Sequence, residues 1–161
     1  MVTYNLGECF FLKGEYAKAQ ENFKIFVNKT PNAYIHDLVR YKIYITHLKL
    51  SQTEDARRML ATLEATPLSP VFYYAHAAER FSRGDADGGY KWLTDGIPIY
   101  ADKQNKDFME SLLNLGWITE EKVAWEMAQR REERAADLMD TVDVIKDLRA
   151  PEQVPSKGLL E

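Results

Sequence analysis

The sequence predicts an all-α protein in which paired helices repeat along the chain and one long helix follows them. A helix–break–helix pattern recurs three times before residue 102, and its small residues Ala19, Ala56 and Gly89 lie 37 and 33 residues apart. Residues 117–149 contain neither glycine nor proline, which favours a long helix. The 161 residues are 45% hydrophobic, which is enough apolar material to fill the core of a domain.

The first helix pair, over residues 4–31, has the clearest pattern. Two stripes of apolar residues at helical spacing flank a break at Gly14. The stripes consist of Leu6 and Phe10 before the break, and of Ala19, Phe23 and Phe26 after it. Gly14 suits the left-handed residue that follows a helix end, and Pro31 closes the second helix.

This segment resembles the tetratricopeptide repeat (TPR) family. Eight residues fall at the spacings of the TPR signature: Leu6, Gly7, Phe10, Gly14, Tyr16, Ala19, Phe23 and Pro31. Two positions depart from the signature. This chain has Thr3 where the family often has Trp, and Phe26 where the family usually has Ala. The resemblance implies a right-handed α-solenoid of about three TPR-like helix pairs, plus the long C-terminal helix.

Two weaker copies of the pattern follow the first. The second copy keeps Ile43, Tyr44, His47, Ser51, Ala56, Leu60 and Leu63 at the same steps, with Pro67 one place early. The third copy keeps Ala77, Gly84, Gly89 and Leu93. The sequence therefore predicts a repeat array over residues 1–116, with repeats at about 1–33, 37–69 and 70–101 and a partial fourth from 102. Because Met1 falls inside the first repeat, we expect the chain to be a piece of a longer protein.

The last 45 residues differ from the array in charge. Residues 1–116 carry equal numbers of acidic and basic side chains, so the net charge of −4 belongs to residues 117–161. Thr119, followed by Glu120 and Glu121, predicts the start of the C-terminal helix, which we place over residues 117–149. Residues 150–161 are rich in proline and polar residues and predict a disordered tail.

No motif points to catalysis, to a metal or to a cofactor. The histidines His36, His47 and His76 lack metal-ligand spacing, and Cys9 lies within the first helix, where we expect a buried structural thiol. We therefore expect a protein that is not an enzyme. The mildly acidic charge disfavours nucleic acid, and no apolar run is long enough for membrane insertion. The first residues of this sequence do not have the pattern of a secretory signal, but we expect the true N-terminus to lie outside it, so the location stays open with a cytoplasmic one as the default expectation.

The resemblance also implies a binding groove for a protein or peptide partner. In TPR-like solenoids the first helix of each pair lines the concave face. The candidates by repeat position are Tyr4, Glu8, Phe11 and Leu12; Leu38, Tyr41, Ile45 and Lys49; and Val71, Tyr74, Ala78 and Phe81. This aromatic stripe suits an apolar peptide or an amphipathic helix. It lacks the basic and amide groups with which some family members clamp a C-terminal carboxylate, which disfavours an acidic C-terminal peptide.

Two functional hypotheses follow. The first is a non-enzymatic adaptor or scaffold that holds a peptide or helix in the concave groove. The alternative is a structural or oligomerisation module, in which the C-terminal helix caps or fills the solenoid or mediates a homodimer. The apolar face of that helix is formed by Ala135, Leu138, Met139, Val142 and Ile145. The polar run over residues 129–134 argues against a long uninterrupted coiled coil.

Overall fold

The computed structural model describes residues 2–65 and 69–149, and these residues form eight α-helices, one 3-10 helix and no strand. The all-α class is therefore confirmed for this part of the chain. Pro67 and the predicted tail over residues 150–161 lie outside the described residues. The α-helices are α1 (Val2–Leu12), α2 (Tyr16–Val27), α3 (Ala33–Lys49), α4 (Thr53–Glu64), α5 (Val71–Ser82), α6 (Ala86–Gly96), α7 (Asp102–Asn114) and α8 (Glu120–Arg149), and the 3-10 helix covers Ile97–Ile99.

Alternate helices end with the same backbone turn. Gly14, Gly84 and Gly116 follow α1, α5 and α7 with φ of 74°, 79° and 65°, so the left-handed conformation predicted for Gly14 is confirmed. After α1, the amide of Glu15 donates to the carbonyl of Phe10 at 2.9 Å, and equivalent bonds close α3, α5 and α7. This is the Schellman arrangement, which satisfies the last carbonyls of a helix. At the end of α3 the left-handed residue is Ser51, with φ of 56°.

Helices that are neighbours in sequence pack against one another from α1 to α6, and α3 also contacts α5. Two glycines allow the closest approaches within pairs. A Cβ atom on Gly7 of α1 would lie 2.6 Å from the ring of Phe23 on α2, and one on Gly89 of α6 would lie 2.5 Å from the ring of Phe81 on α5. These positions therefore need a residue without a side chain, in keeping with the small residues that the sequence pattern placed there.

A polar layer joins α2, α3 and α4. The Gln20 side-chain amide donates to Thr46 Oγ1 and to Gln52 Oε1, each at 3.1 Å. His47 Nδ1 lies 2.6 Å from Gln52 Oε1, and because this oxygen can only accept, the nitrogen carries the hydrogen. Burial lowers the pKa of His47, which favours this neutral form. The histidine is thus a structural residue of the core.

The chain divides into two compact units, Met1–Glu126 and Met127–Glu161. The first unit contains α1 to α7 and the opening turns of α8, where Thr119 Oγ1 accepts a hydrogen bond from the amide of Lys122 at 3.2 Å. The core described here belongs to this unit. In the described parts of the chain, no helix combines the length and the apolar character that crossing a membrane requires.

Candidate partner-binding surface

Helix α7 packs across α3 and α5, the first helices of the second and third predicted pairs. Its fully buried Phe108 ring lies between three tyrosines. The ring centroid is 6.0 Å from that of Tyr34, 5.4 Å from that of Tyr41 and 5.6 Å from that of Tyr74. Leu112, one turn later, is also fully buried. An amphipathic helix of this chain therefore covers part of the face that the sequence assigned to a ligand.

Polar side chains fix α7 in place beside these apolar contacts. The hydroxyl of Tyr34 donates to Asp107 Oδ2 at 2.8 Å, and the hydroxyl of Tyr74 donates to Asn105 Oδ1 at 3.2 Å. Asn105 Nδ2 donates in turn to the backbone carbonyls of Ile97 and Tyr100, at 2.9 and 3.0 Å. The register of α7 on α3 and α5 is thus set by hydrogen bonds as well as by packing.

Lys42 lies fully buried on α3 and connects three helices. Its Nζ donates to Glu8 Oε2 of α1 at 3.0 Å and to Ser111 Oγ of α7 at 3.1 Å. The ammonium also lies 5.6 Å from the centroid of the Phe11 ring, a cation–π contact.

Two buried polar atoms next to this interface have no hydrogen-bond partner among the described residues. They are Glu8 Oε1 and the hydroxyl oxygen of Tyr41. An unpaired buried polar group costs about 1–3 kcal/mol, and neither of these atoms is paired with a side chain of α7.

The twelve predicted groove residues divide between core and surface. Phe11, Tyr41, Ile45, Val71, Tyr74, Ala78 and Phe81 are buried; Tyr4, Glu8 and Leu38 are partly buried; Leu12 and Lys49 are exposed. Seven of the twelve therefore lie in the core of the folded chain and not on an open surface. Tyr41 and Tyr74 lie against α7, while Phe11 and Phe81 pack on the second helices of their own pairs, through Phe23 and Tyr90. Ligand binding at the twelve positions stays a prediction.

A cleft of about 420 Å³ remains open between α1, the start of α3 and α7. Its walls include two of the predicted residues, Tyr4 and Leu38, together with Phe26, Asn32, Tyr34, Ile35, Lys103, Asp107 and Glu110. Tyr4 and Phe26 are in ring contact, with centroids 5.3 Å apart. The lining thus combines apolar and aromatic side chains with four polar or charged ones, a mixture that ligand-binding clefts share.

The tyrosines of this cleft stay protonated. Burial raises the pKa of Tyr4 well above its usual value, and the negative charges of Glu8, Glu110 and Asp107 add to the effect. Burial and the hydrogen bond to Asp107 raise the pKa of Tyr34 in the same direction. Both phenols therefore stay protonated throughout the physiological pH range, and that of Tyr34 donates its hydrogen bond to Asp107.

A second cleft, of about 640 Å³, lies along α7 and the first turn of α8. Its apolar wall includes Met109, Leu113 and Val123, and its rim carries Asp102 and Glu120. Asp107 and Glu110 line both clefts, so α7 forms a ridge between them.

The sequence did not identify the contributions of Phe26, Tyr34, Ile35 or α7 to this surface. Phe26 was noted as a member of the apolar stripe of the second helix and as a departure from the repeat signature, not as part of a binding surface. The amphipathic pattern of α7 was visible in Phe108 and Leu112, but an apolar stripe does not specify which neighbouring face it packs against. One sequence feature could have indicated that this stripe packs against a specific partner. The polar residues Asn105 and Ser111, three positions before and after Phe108, lie on the apolar side of the helix, and both are buried in the structure.

The other reactive side chains are dispersed. His76 stacks on Trp92 with centroids 4.3 Å apart, and its Nε2 lies 3.2 Å from Glu64 Oε1. Burial lowers the pKa of His76. Cys9 is exposed, which corrects the expectation of a buried thiol. Over the part of the chain that the structure describes, no group of three His, Cys, Asp or Glu side chains is arranged to hold a metal ion.

Comparison with known proteins finds no family model, no curated protein and no solved structure that matches this chain. A function for this chain is therefore inferred from its own residues.

Proposed function

We propose that the chain is a non-enzymatic protein–protein interaction module with TPR-like helix pairs, which acts as an adaptor or scaffold. Its ligand is a peptide or an amphipathic helix of a protein partner. The binding surface is the face formed by α1, α3 and α7, with the 420 Å³ cleft as the entry point for an apolar side chain. The TPR-like arrangement is part of this proposal and is supported by the signature residues and the recurring Schellman turns.

The main support for this proposal is the packing of α7 on α3 and α5. This helix packs Phe108 against tyrosines of α3 and α5, which means that the face has the apolar character to accept an amphipathic helix. The open cleft continues the same surface towards α1 through Tyr34, which contacts both Phe108 and the cleft. Recognition of a helix by an apolar groove needs this combination of a packed floor and discrete side-chain pockets.

A pair of matched isoleucine variants tests the proposal. Ile35 lines the cleft and is 37% exposed, whereas Ile25 is 46% exposed on α2 and is not part of either cleft. Partners are captured on the wild-type chain and on the Ile35→Glu and Ile25→Glu variants, and circular dichroism verifies that all three chains are folded. We expect Ile35→Glu to lose the captured partners, because a buried carboxylate opposes an apolar ligand, and Ile25→Glu to retain them. Equal retention on all three chains contradicts the assignment of this face.

A second candidate function is self-association through α8. The observation that favours it is the exposure of two adjacent large apolar side chains in the second unit, Leu138 and Met139, each 65% exposed. They belong to the apolar face that the sequence predicts for this helix. A second copy of the same face is the simplest partner for such a surface.

A further inference from the structure

Helix α7 presents a compact recognition pattern to α3 and α5. Asn105, Phe108, Ser111 and Leu112 are all buried and follow one another at steps of three, three and one residue. This spacing places them on one side of a helix. The opposite side carries exposed residues, such as Lys103 and Lys106. Residues of this face make the ring contacts and hydrogen bonds of α7 with α3 and α5, apart from the bond between Asp107 and Tyr34.

The surface beneath α7 offers more hydrogen-bonding capacity than α7 uses. Tyr74 and Lys42 bond Asn105 and Ser111, but the buried hydroxyl of Tyr41 and Glu8 Oε1 have no partner among the described residues. Tyr41 lies directly against Phe108, and Glu8 shares Lys42 with Ser111. A different occupant with a donor or acceptor within reach of either atom would satisfy a group that α7 leaves unpaired.

The ends of α7 are junctions at which the backbone leaves the helical conformation. Tyr100 and Ala101 are extended before the helix, and Gly116 has a φ of 65° after it. A hinge commonly uses such non-helical residues at the ends of an element, so a movement of α7 as a unit would be centred here. The hydrogen bonds of Asn105 to Ile97 and Tyr100 lie at the first junction and oppose such movement.

We propose that α7 is an internal occupant of the partner-binding face and that a partner helix carrying the same pattern displaces it. The ligand is an amphipathic helix with Asn, Phe, Ser and Leu at positions i, i+3, i+6 and i+7, and with a further hydrogen-bonding group that faces Tyr41 and Glu8. This inference rests on the proposed function and specifies the ligand class: the partner first contacts the cleft while α7 is in place, and then replaces α7 on α3 and α5. Helix α7 then acts as an autoinhibitory segment, because partner binding requires its release.

A peptide supplied in trans tests the displacement. The probe is a fluorescent synthetic peptide with the sequence of residues 101–116, and the receptor is the full chain with Phe108→Ala, which weakens the docking of its own α7. We expect the peptide to bind this variant and to raise its thermal midpoint. The wild-type chain should bind about 100-fold more weakly, because its own α7 competes at a high effective concentration. Fluorescence anisotropy measures both affinities.

The control peptide carries Ala at the position of Phe108 and should not bind either chain. Failure of the unmodified peptide to bind the folded variant, or equal affinity for variant and wild type, overturns the inference. If the Phe108→Ala chain does not fold, hydrogen exchange of the wild-type chain decides. The amides of α7 must then exchange at least about tenfold faster than those of α3, because a docked segment opens before the body to which it is attached. Equal protection of the α7 and α3 amides overturns the displacement of α7. The proposed function would still be supported if partners bind the wild-type chain and not the Ile35→Glu variant.

Discussion

Lys42 shows how a single side chain can determine the arrangement of several helices. A lysine is expected at the surface, because burial of an ammonium group is costly unless the group is paired. Here Glu8 and Ser111 accept hydrogen bonds from it inside the first unit. The charge therefore links α1, α3 and α7 at the place where apolar packing alone would allow several registers.

Replacement of Lys42 by methionine tests this role. Methionine keeps much of the volume but leaves Glu8 with an uncompensated charge, and Glu8 is partly buried. We expect the free energy of unfolding to fall by about 1–3 kcal/mol, below the usual cost of breaking a fully buried pair, because solvent reaches part of the carboxylate. Urea denaturation monitored by circular dichroism measures the change.

Two further variants complete the Lys42 experiment. Adding Glu8→Gln to Lys42→Met removes the unpaired charge and should restore at least half of the lost stability. Lys106→Met, at an exposed position of α7, should change the free energy of unfolding by less than about 0.5 kcal/mol. A Lys42→Met chain as stable as the Lys106→Met chain would show that the buried ammonium is dispensable.

At the level of helices, the sequence predicted local boundaries better than tertiary placement. Gly14 and Thr119 have strong local preferences, for the left-handed conformation and for capping, and both act as predicted. The long C-terminal helix was likewise visible as a stretch without glycine or proline. These signals depend on neighbours a few residues away in sequence, and therefore a single sequence contains them.

The position of α7 depends on contacts that the sequence pattern does not specify. Its apolar stripe was compatible with a fourth repeat. The position of Phe108 is determined by Tyr74 on α5 and Tyr34 on α3, which lie 34 and 74 residues before it in the sequence. For the same reason, several predicted groove residues proved to be core residues. Periodicity indicates that a face is apolar, and only the tertiary structure decides whether solvent, ligand or another helix covers it.

The second candidate function makes a prediction about α8. We expect the chain to sediment above its monomer mass of 18.6 kDa at roughly 100 µM, through contact between copies of the Leu138 and Met139 face. The Leu138→Glu/Met139→Glu variant should sediment as a monomer, because four carboxylates would then face one another in a dimer. Analytical ultracentrifugation measures the mass, with Ala136→Glu, on a different face of the helix, as control. A wild-type chain that remains at 18.6 kDa excludes this interface.

Across the whole molecule, the change in composition and the end of the first compact unit fall close together. The aromatic-rich, neutral part of the sequence ends near Gly116, and the first unit extends ten residues further, to Glu126. The added segment contributes the buried side chains Ile118 and Val123. Lys122 also lies 5.7 Å from the centroid of the Tyr90 ring on α6. The start of α8 is therefore part of the core of the first unit.

Two truncated chains test the contribution of this segment. Truncation after Gly116 removes Ile118 and Val123, whose burial stabilises the folded chain by about 3–6 kcal/mol in total. Truncation after Glu126 retains both side chains and serves as the matched control. We expect the thermal midpoint of the shorter chain to lie on the order of 10 °C below that of the longer one, as measured by differential scanning calorimetry. Equal midpoints would mean that the first unit is already complete at Gly116 and that the opening turns of α8 do not stabilise it.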